Sequence, residues 1–458
     1  MTATDALFYA FWVLLAGALL SLMLSKARQA AGWSASLATL VAGGLAGWSA
    51  LRTLTGGSPA SATYAALPEY GSVLRISIDG LSALFVGLIA LISALAAVYS
   101  VRYMEHYREY SVARYYPSFL LFVAGMYGIV TTTDLMVLFC LFWQLMTVPS
   151  FLLVRFEHRR RENVRAAWRY LVMMEASCAL VMLAAALIAG DGPQRYDFDV
   201  VAEHVRGFLA GGGDVGLALG LFLIGFGIKA GMWPFGQMWL PDAHPAAPSP
   251  VSALLSGVMI KTGVYGLLRT FLWLVPAASA DAFSPRTWGA TIAALGTITL
   301  FLGTAQALKQ EQSKRLLAFH SIGQVGYILL GLGACLVLLP AADDTGAGAA
   351  LATMALLGAL FHTANHALFK SLLFLNAGAT LAATGTQDLN RMGGLMRHMP
   401  VTGATALVAS FAISGVPLLN GFASKWAIYV ATLQGSAAAW WLAPCAVSAL
   451  LTSTLTLA

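Results

Sequence analysis

This sequence is short of charge: Asp, Glu, Lys and Arg make up 10% of its 458 residues, against about 25% in a soluble domain. Together with 59% hydrophobic residues and a mean hydropathy of +0.76, that shortage excludes a water-soluble globule and points to an integral membrane protein. Cysteine is scarce too. Cys140, Cys178, Cys335 and Cys445 all lie in apolar stretches and form no CxxC pair. This removes the ligand patterns of an iron–sulfur cluster, a structural zinc site or a disulfide frame. No dinucleotide fingerprint or quinone chemistry is visible, so no cofactor or metal is expected. A net charge of +6 could suggest nucleic acid, but the basic residues lie in short loops rather than along a stripe. A basic leader is also lacking: Asp5 precedes the first apolar run, while Lys26 and Arg28 follow it, unlike a cleaved secretory signal.

Apolar runs of about 17–25 residues, cut by polar or Gly/Pro turns, predict about thirteen membrane spans and an all-α polytopic protein. They fall near 6–24, 33–54, 78–100, 115–131, 134–155, 164–189, 215–241, 249–274, 288–308, 315–339, 349–383, 401–433 and 438–458. The cations set the orientation. Loops after odd-numbered spans hold Lys26, Arg28, Arg102, Arg108, Arg114, Arg155, Arg159, Arg160, Arg161, Arg165, Lys309, Lys314, Arg315, Arg391 and Arg397. Loops after even-numbered spans hold only Arg52, Arg75, Arg195, Arg206 and Arg286, beside Asp191, Asp197, Asp343 and Asp344. This bias predicts odd loops in the cytoplasm and the N-terminus outside a cell (inner) membrane.

Two spans carry a proline in mid-run, Pro234 in the seventh and Pro417 in the twelfth. Proline removes a backbone donor and clashes with the preceding turn, so each helix should break there. Broken helices at membrane depth are tolerated where they line a cavity or are buried in protein. The breaks lie five spans apart and run in opposite directions, which predicts two inverted five-helix repeats. The expected division is 1–114 as an N-terminal three-helix segment, 115–274 as the first repeat and 288–458 as the second.

Against this apolar background stand a few titratable groups in mid-span. Lys229, Lys261, Lys370 and Lys425 each occupy a position where a lysine costs roughly 2.5–3.5 kcal/mol. Glu175, in span six, is the single acidic residue at mid-span among 20. His362, His366 and Lys370 recur at i, i+4 and i+8 and so share one helix face. His320 lies nearer the cytoplasmic end of span ten. A row of this kind suits a proton relay, in which groups of comparable proton affinity pass protons directly or through water. The competing readings are structural: Lys261 as a partner for a backbone carbonyl, and the histidines as interhelical hydrogen-bond donors. A metal site is disfavoured, because no carboxylate or thiol shares the histidine face and Lys370 would repel a cation.

The stretches WLPDAHPAAPSPVSALLSGVMIKTGVYGLLR (239–269), KRLLAFHSIGQVGYILLGLG (314–333) and HALFKSLLFLNAGA (366–379) resemble a known family. It is the antiporter-like, proton-conducting membrane subunits shared by respiratory complex I, Mrp-type antiporters and membrane-bound hydrogenases. The resemblance runs from about residue 79 onward. The 244–266 stretch and residues 382–386 look most like the large membrane subunits of formate hydrogenlyase and hydrogenase 4. It implies a fourteen-helix core of two inverted five-helix repeats and a chain of buried charges conducting protons. It also matches Lys229 to the lysine of the broken seventh helix, Lys261 to that of the eighth, and His362, His366 and Lys370 to the eleventh. Lys425 falls on the broken twelfth, where hydrogenase-type members often carry glutamate.

Two departures bear on function. The family's FWELM motif reads FWQLM here, placing Gln144 where the resemblance implies a glutamate paired with Lys229. Glu175, at similar depth on the next span, is the expected substitute; the alternative is a half-channel with weakened coupling. The sequence also ends in an apolar span without a fourteenth helix, so a fragment or a short form is expected. The favoured function is a proton-translocating, non-redox membrane subunit of an NADH:quinone oxidoreductase- or hydrogenase-like complex. Its partners would be other membrane subunits and a peripheral redox module carrying the metal centres. The alternatives are an Mrp-type cation/proton antiporter subunit, or a proton channel powering uptake with a soluble partner.

Overall fold

In the computed structural model, residues 1–275, 284–341 and 346–457 are described; Asp343 and Asp344 of the charge-bias argument lie outside them. Apolar sequence becomes helix throughout. α1 (Ala3–Met23) starts at a reciprocal cap between Thr2 and Asp5, and α2 (Arg28–Leu54) returns beside it. A hairpin then forms from β1 (Ala60–Leu67) and β2 (Ser72–Ile78), paired antiparallel from Ala60↔Ile78 to Leu67↔Ser72. The apolar-run reading does not register it, because neither strand is long enough to count as a span. Asp79 then caps α3 (Gly80–Tyr103), accepting from the Ser82 amide at 2.9 Å.

The chain continues through α4 (Tyr116–Thr131), α5 (Val137–Val154) and α6 (Arg161–Ile188) to α7 (Phe198–Ala210). α7 is a surface helix that buries one stripe, Val201, Ala202, Val205 and Leu209. It was not expected either, being amphipathic rather than apolar. The seventh span is two helices, α8 (Gly216–Ala230) and α9 (Gly236–Ala246). The eighth is one helical rod over residues 249–274. Its α-helical parts are α10 (Ser249–Leu254) and α11 (Ile260–Leu268), each followed by a wider π turn. α12 (Pro285–Ala307), α13 (Ser313–Leu338) and the long α14 (Ala347–Thr384) follow. The twelfth span is again two helices, α15 (Pro400–Ser414) and α16 (Asn420–Gln434), before α17 (Leu442–Leu457).

Among the described residues nine helices are long and apolar enough to cross a membrane, and α8, α15 and α17 are shorter apolar helices. The multi-pass membrane architecture is therefore as the sequence predicts. The rod and α13 are wholly enclosed by other helices, and they carry Lys261 and His320. Small residues permit this packing. Gly289, Gly296 and Gly303 recur every seventh residue of α12 against α13, and a Cβ on Gly296 would sit 2.6 Å from the Leu330 amide nitrogen. Close approach of two backbones is how helices associate where lipid supplies no hydrophobic drive between them.

Candidate functional site: a buried row of lysines and histidines

The break predicted at Pro234 is real, and its backbone explains why. α8 ends in the left-handed Gly231 (φ 86°), and α9 begins at Gly236, where any side chain would collide with the Gly231 carbonyl. Lys229 sits on the last turn of α8, fully buried. Its ammonium lies 4.3 Å from the centre of the Trp143 ring and has no hydrogen-bond partner. The carbonyls that a helix end leaves open are already occupied. Met232 donates its amide to Gly227 O at 2.8 Å, and Trp239 Nε1 donates to Ile228 O at 3.2 Å. Glu175 accepts a 2.7 Å hydrogen bond from the Gln144 amide instead of pairing with Lys229. Gln144 and Glu175 thus form a unit of their own at the edge of the site.

Further into the protein, the π turn over 255–259 reshapes the rod. A π turn leaves a carbonyl without its α-helical partner, and the Lys261 ammonium donates to that of Ser256. Ser256 in turn shares a 2.7 Å hydroxyl contact with Ser321 of α13, next to His320. The carbonyl-partner geometry foreseen as the structural reading of Lys261 is therefore present. His320 is buried, with Nδ1 unpartnered.

On α14 the expected shared face is realised: His362, His366 and Lys370 are all fully buried on it. His362 is held at both ring nitrogens, Nε2 3.2 Å from Gln324 Oε1 and Nδ1 3.0 Å from Ser424 Oγ. It thereby ties α13, α14 and α16 together. The His366 ring is 6.3 Å from that of His362 and has neither nitrogen bonded; the Lys370 ammonium is also free.

The second break, at Pro417, repeats the first in its backbone. α15 ends at left-handed Gly415 (φ 83°), and a side chain on Gly421 would collide with the Ala412 carbonyl. Lys425 lies beyond the break, on α16. It donates to Ile413 O at 2.8 Å and to Ser453 Oγ at 3.0 Å, over the Tyr327 ring at 4.4 Å.

Three polar residues that the sequence reading does not single out complete the row. His244, near the end of α9, is fully buried with both ring nitrogens free, and stacks on Phe374 at 4.6 Å. Lys370 lies over the other part of that contact, 5.9 Å from the same ring. Lys314, counted among loop cations in the charge-bias argument, is buried and donates to Ala247 O at 2.7 Å. Gln324 is the amide that meets His362. His244 and Lys314 sit at helix ends next to charged residues, so hydropathy alone reads them as loop. Their place inside the quoted motifs is the signal that could have found them.

Between the buried row and the even-numbered loops lies a cavity of about 200 Å³, lined in part by Asp79, Thr131, Asp199, Tyr265, Arg269 and Trp273. Arg269 holds Asp79 through two bonds, at 2.5 and 2.7 Å. Next to it the hairpin is fastened to the loops after α4 and α6: Asp197 accepts from Arg75 at 3.1 Å and from Thr133 at 2.7 Å.

The sequence matches the profile of the family described as NADH:quinone oxidoreductase/Mrp antiporter, TM, over residues 132–342 and 345–455. It also matches that of NADH-ubiquinone oxidoreductase (complex I), chain 5 N-terminus, over residues 67–116. It is 37% identical over 356 residues to hydrogenase-4 component B of Escherichia coli, covering 77% of this chain and 50% of that protein. It is 32% identical over 391 residues to Na(+)/H(+) antiporter subunit A1 of Staphylococcus aureus, covering 85% and 46%. The chain thus spans about half the length of these relatives. Among solved structures, the Mrp complex from a Dietzia species superposes with a TM-score of 0.80 at 28% identity, over 100% of this chain and 46% of that one. An archaeal membrane-bound sulfane sulfur reductase gives 0.80 at 23% identity, over 97% and 86%, a likeness of fold.

Proposed function

The chain belongs to the NADH:quinone oxidoreductase/Mrp antiporter membrane-subunit family, and on that premise we propose that it translocates protons as one membrane subunit of a larger redox-driven complex. One observation carries the reading. Most of the buried nitrogens left unmatched among the described residues belong to the mid-membrane titratable set: Lys229 Nζ, both ring nitrogens of His244 and His366, His320 Nδ1 and Lys370 Nζ. Leaving a buried polar group unmatched costs about 1–3 kcal/mol each, and native proteins rarely tolerate it. A set of such groups, each buried and set on helices near the two breaks, is suited to be bridged by water and to carry protons.

Protons would enter from the cytoplasmic side near Glu175 and Lys229. They would pass by Lys261, His320, His366, His362 and Lys370 to Lys425, and leave on the outer side. Glu175 takes the place of the family's helix-five carboxylate, with Gln144 holding it. The two broken helices would be counterparts in two inverted repeats, 115–274 and 288–458. The basic odd-numbered loops would face the cytoplasm, which would leave the N-terminus outside a cell (inner) membrane. Energy would come from partner subunits and a peripheral redox module, a reading supported by the likeness to hydrogenase-4 component B. A sodium-carrying reading is less well supported: hard cations favour oxygen ligands, and the one mid-span carboxylate is engaged with Gln144.

The test is proton uptake into vesicles containing the assembled complex. Lys229→Ala and Lys370→Ala should each lower the rate by about ten-fold or more while the protein still inserts. Wild-type rates in either variant would overturn the assignment.

A further inference from the structure

A pocket of about 390 Å³ opens where α4 begins and α5 ends, lined by Arg114, Ser118, Leu152, Arg155, Phe156 and His158. Among the described residues no carboxylate lines it. The acids in the neighbouring loops are engaged elsewhere: Glu105 with Arg102 at 2.8 Å, Glu109 with Arg159 at 3.4 Å and Glu157 with Arg160 at 3.0 Å. Arg155 therefore has no ion-pair partner among the described residues, and its Nε is buried without a hydrogen bond. Arg114 meets only another basic side chain, with Nη1 3.2 Å from the His158 ring nitrogens. Two guanidiniums beside an imidazole, with no anion among them, form a half-built site whose missing component is negative.

The surroundings identify the kind of anion. Up α5 from Arg155, the outward stripe Leu152, Val148 and Leu141 is exposed, with spacings of four and seven residues. These side chains face out of the helix bundle on a helix long and apolar enough to cross a membrane, where acyl chains can reach them. A ligand that is anionic at the helix end and apolar along the helix fits both parts. We propose that this pocket binds an anionic phospholipid, with its phosphate on Arg155, Arg114 and the Ser118 hydroxyl and its first methylenes on Leu152. Arginine suits this role because its planar fork donates two parallel hydrogen bonds to phosphate oxygens. The proposal depends on the membrane-spanning fold and not on proton translocation.

The test uses the full chain purified in neutral detergent and titrated with dioleoylphosphatidylglycerol or dioleoylphosphatidylcholine, with bound lipid counted by native mass spectrometry. The glycerol lipid should bind about ten-fold more tightly than the choline lipid, and Arg155→Gln or Arg114→Gln should each remove about that factor. Arg114 is exposed, so its variant keeps the test decisive if the Arg155 variant fails to fold. Arg159→Gln, whose partner Glu109 lies outside the pocket, should bind like wild type. Equal binding of the two lipids, or unchanged binding in the Arg114 variant, would overturn the proposal. So would full displacement by millimolar inorganic phosphate, which would make this a site for soluble anions.

Discussion

Around Gly231 and around Gly415 the chain breaks a helix by the same means, yet the two lysines beside the breaks are treated differently. Each break has a left-handed glycine, a proline two or three residues on, and a second glycine where the next helix passes close to the first. At the first, amide and indole donors occupy the carbonyls at the end of α8, and Lys229 rests on Trp143 without a hydrogen bond. At the second, the Ile413 carbonyl is open, and Lys425 reaches back across the break to fill it. A helix break therefore does not decide the state of a nearby ammonium. What decides it is whether an orphan carbonyl has been left for it.

This contrast can be broken by experiment. The largest effect should be on rate: Lys229→Ala should lose at least about ten-fold in proton transfer, and since no hydrogen bond is removed it should cost less stability than Lys425→Ala. Lys425→Ala should show the reverse emphasis, costing about 1–3 kcal/mol of stability as Ile413 O and Ser453 lose their donor. Equal melting temperatures for the two variants would abolish the distinction. Glu175→Gln should reduce proton transfer by about ten-fold, a loss of about 1.4 kcal/mol in the barrier, with Gln144 unchanged. If transport and its coupling are untouched, Glu175 does not stand in for the missing carboxylate.

A matched pair at the other end of the rod provides the reference. Burial pushes the Asp79 carboxyl up from its ordinary value of 3.8, but the Arg269 guanidinium and the Ser82 amide outweigh it and hold it lower. A carboxyl depressed by folding stabilises the protein above its unfolded value, and that contribution is lost as the pH falls through the folded value. Wild-type stability should thus decline on acidification below about pH 4, and Asp79→Asn should be less stable by about 1–2 kcal/mol at neutral pH with a flatter acid profile. An unchanged acid profile in the variant would assign the decline to other groups.

Much of this was legible in advance. The helical segments follow from hydropathy, and both breaks from Pro234 and Pro417, because these effects act within a few residues along the chain. The common face of His362, His366 and Lys370 follows from helical period. The hairpin and α7 were not legible, since neither is long and apolar. Nor were the burial of Lys314 and the free ring of His244, which depend on α9, α13 and α14 meeting.

The sequence alone determined a membrane protein with lysines at helix breaks, because transfer energy and proline sterics are local. Tertiary structure decided which of those lysines is satisfied. Lys425 finds the Ile413 carbonyl because the chain folds back at the break twelve residues away, whereas Lys229 finds only the ring of Trp143, from a segment distant in sequence. Glu175 was visible as a mid-span acid, but only the packing of α5 against α6 gave it Gln144 as its neighbour.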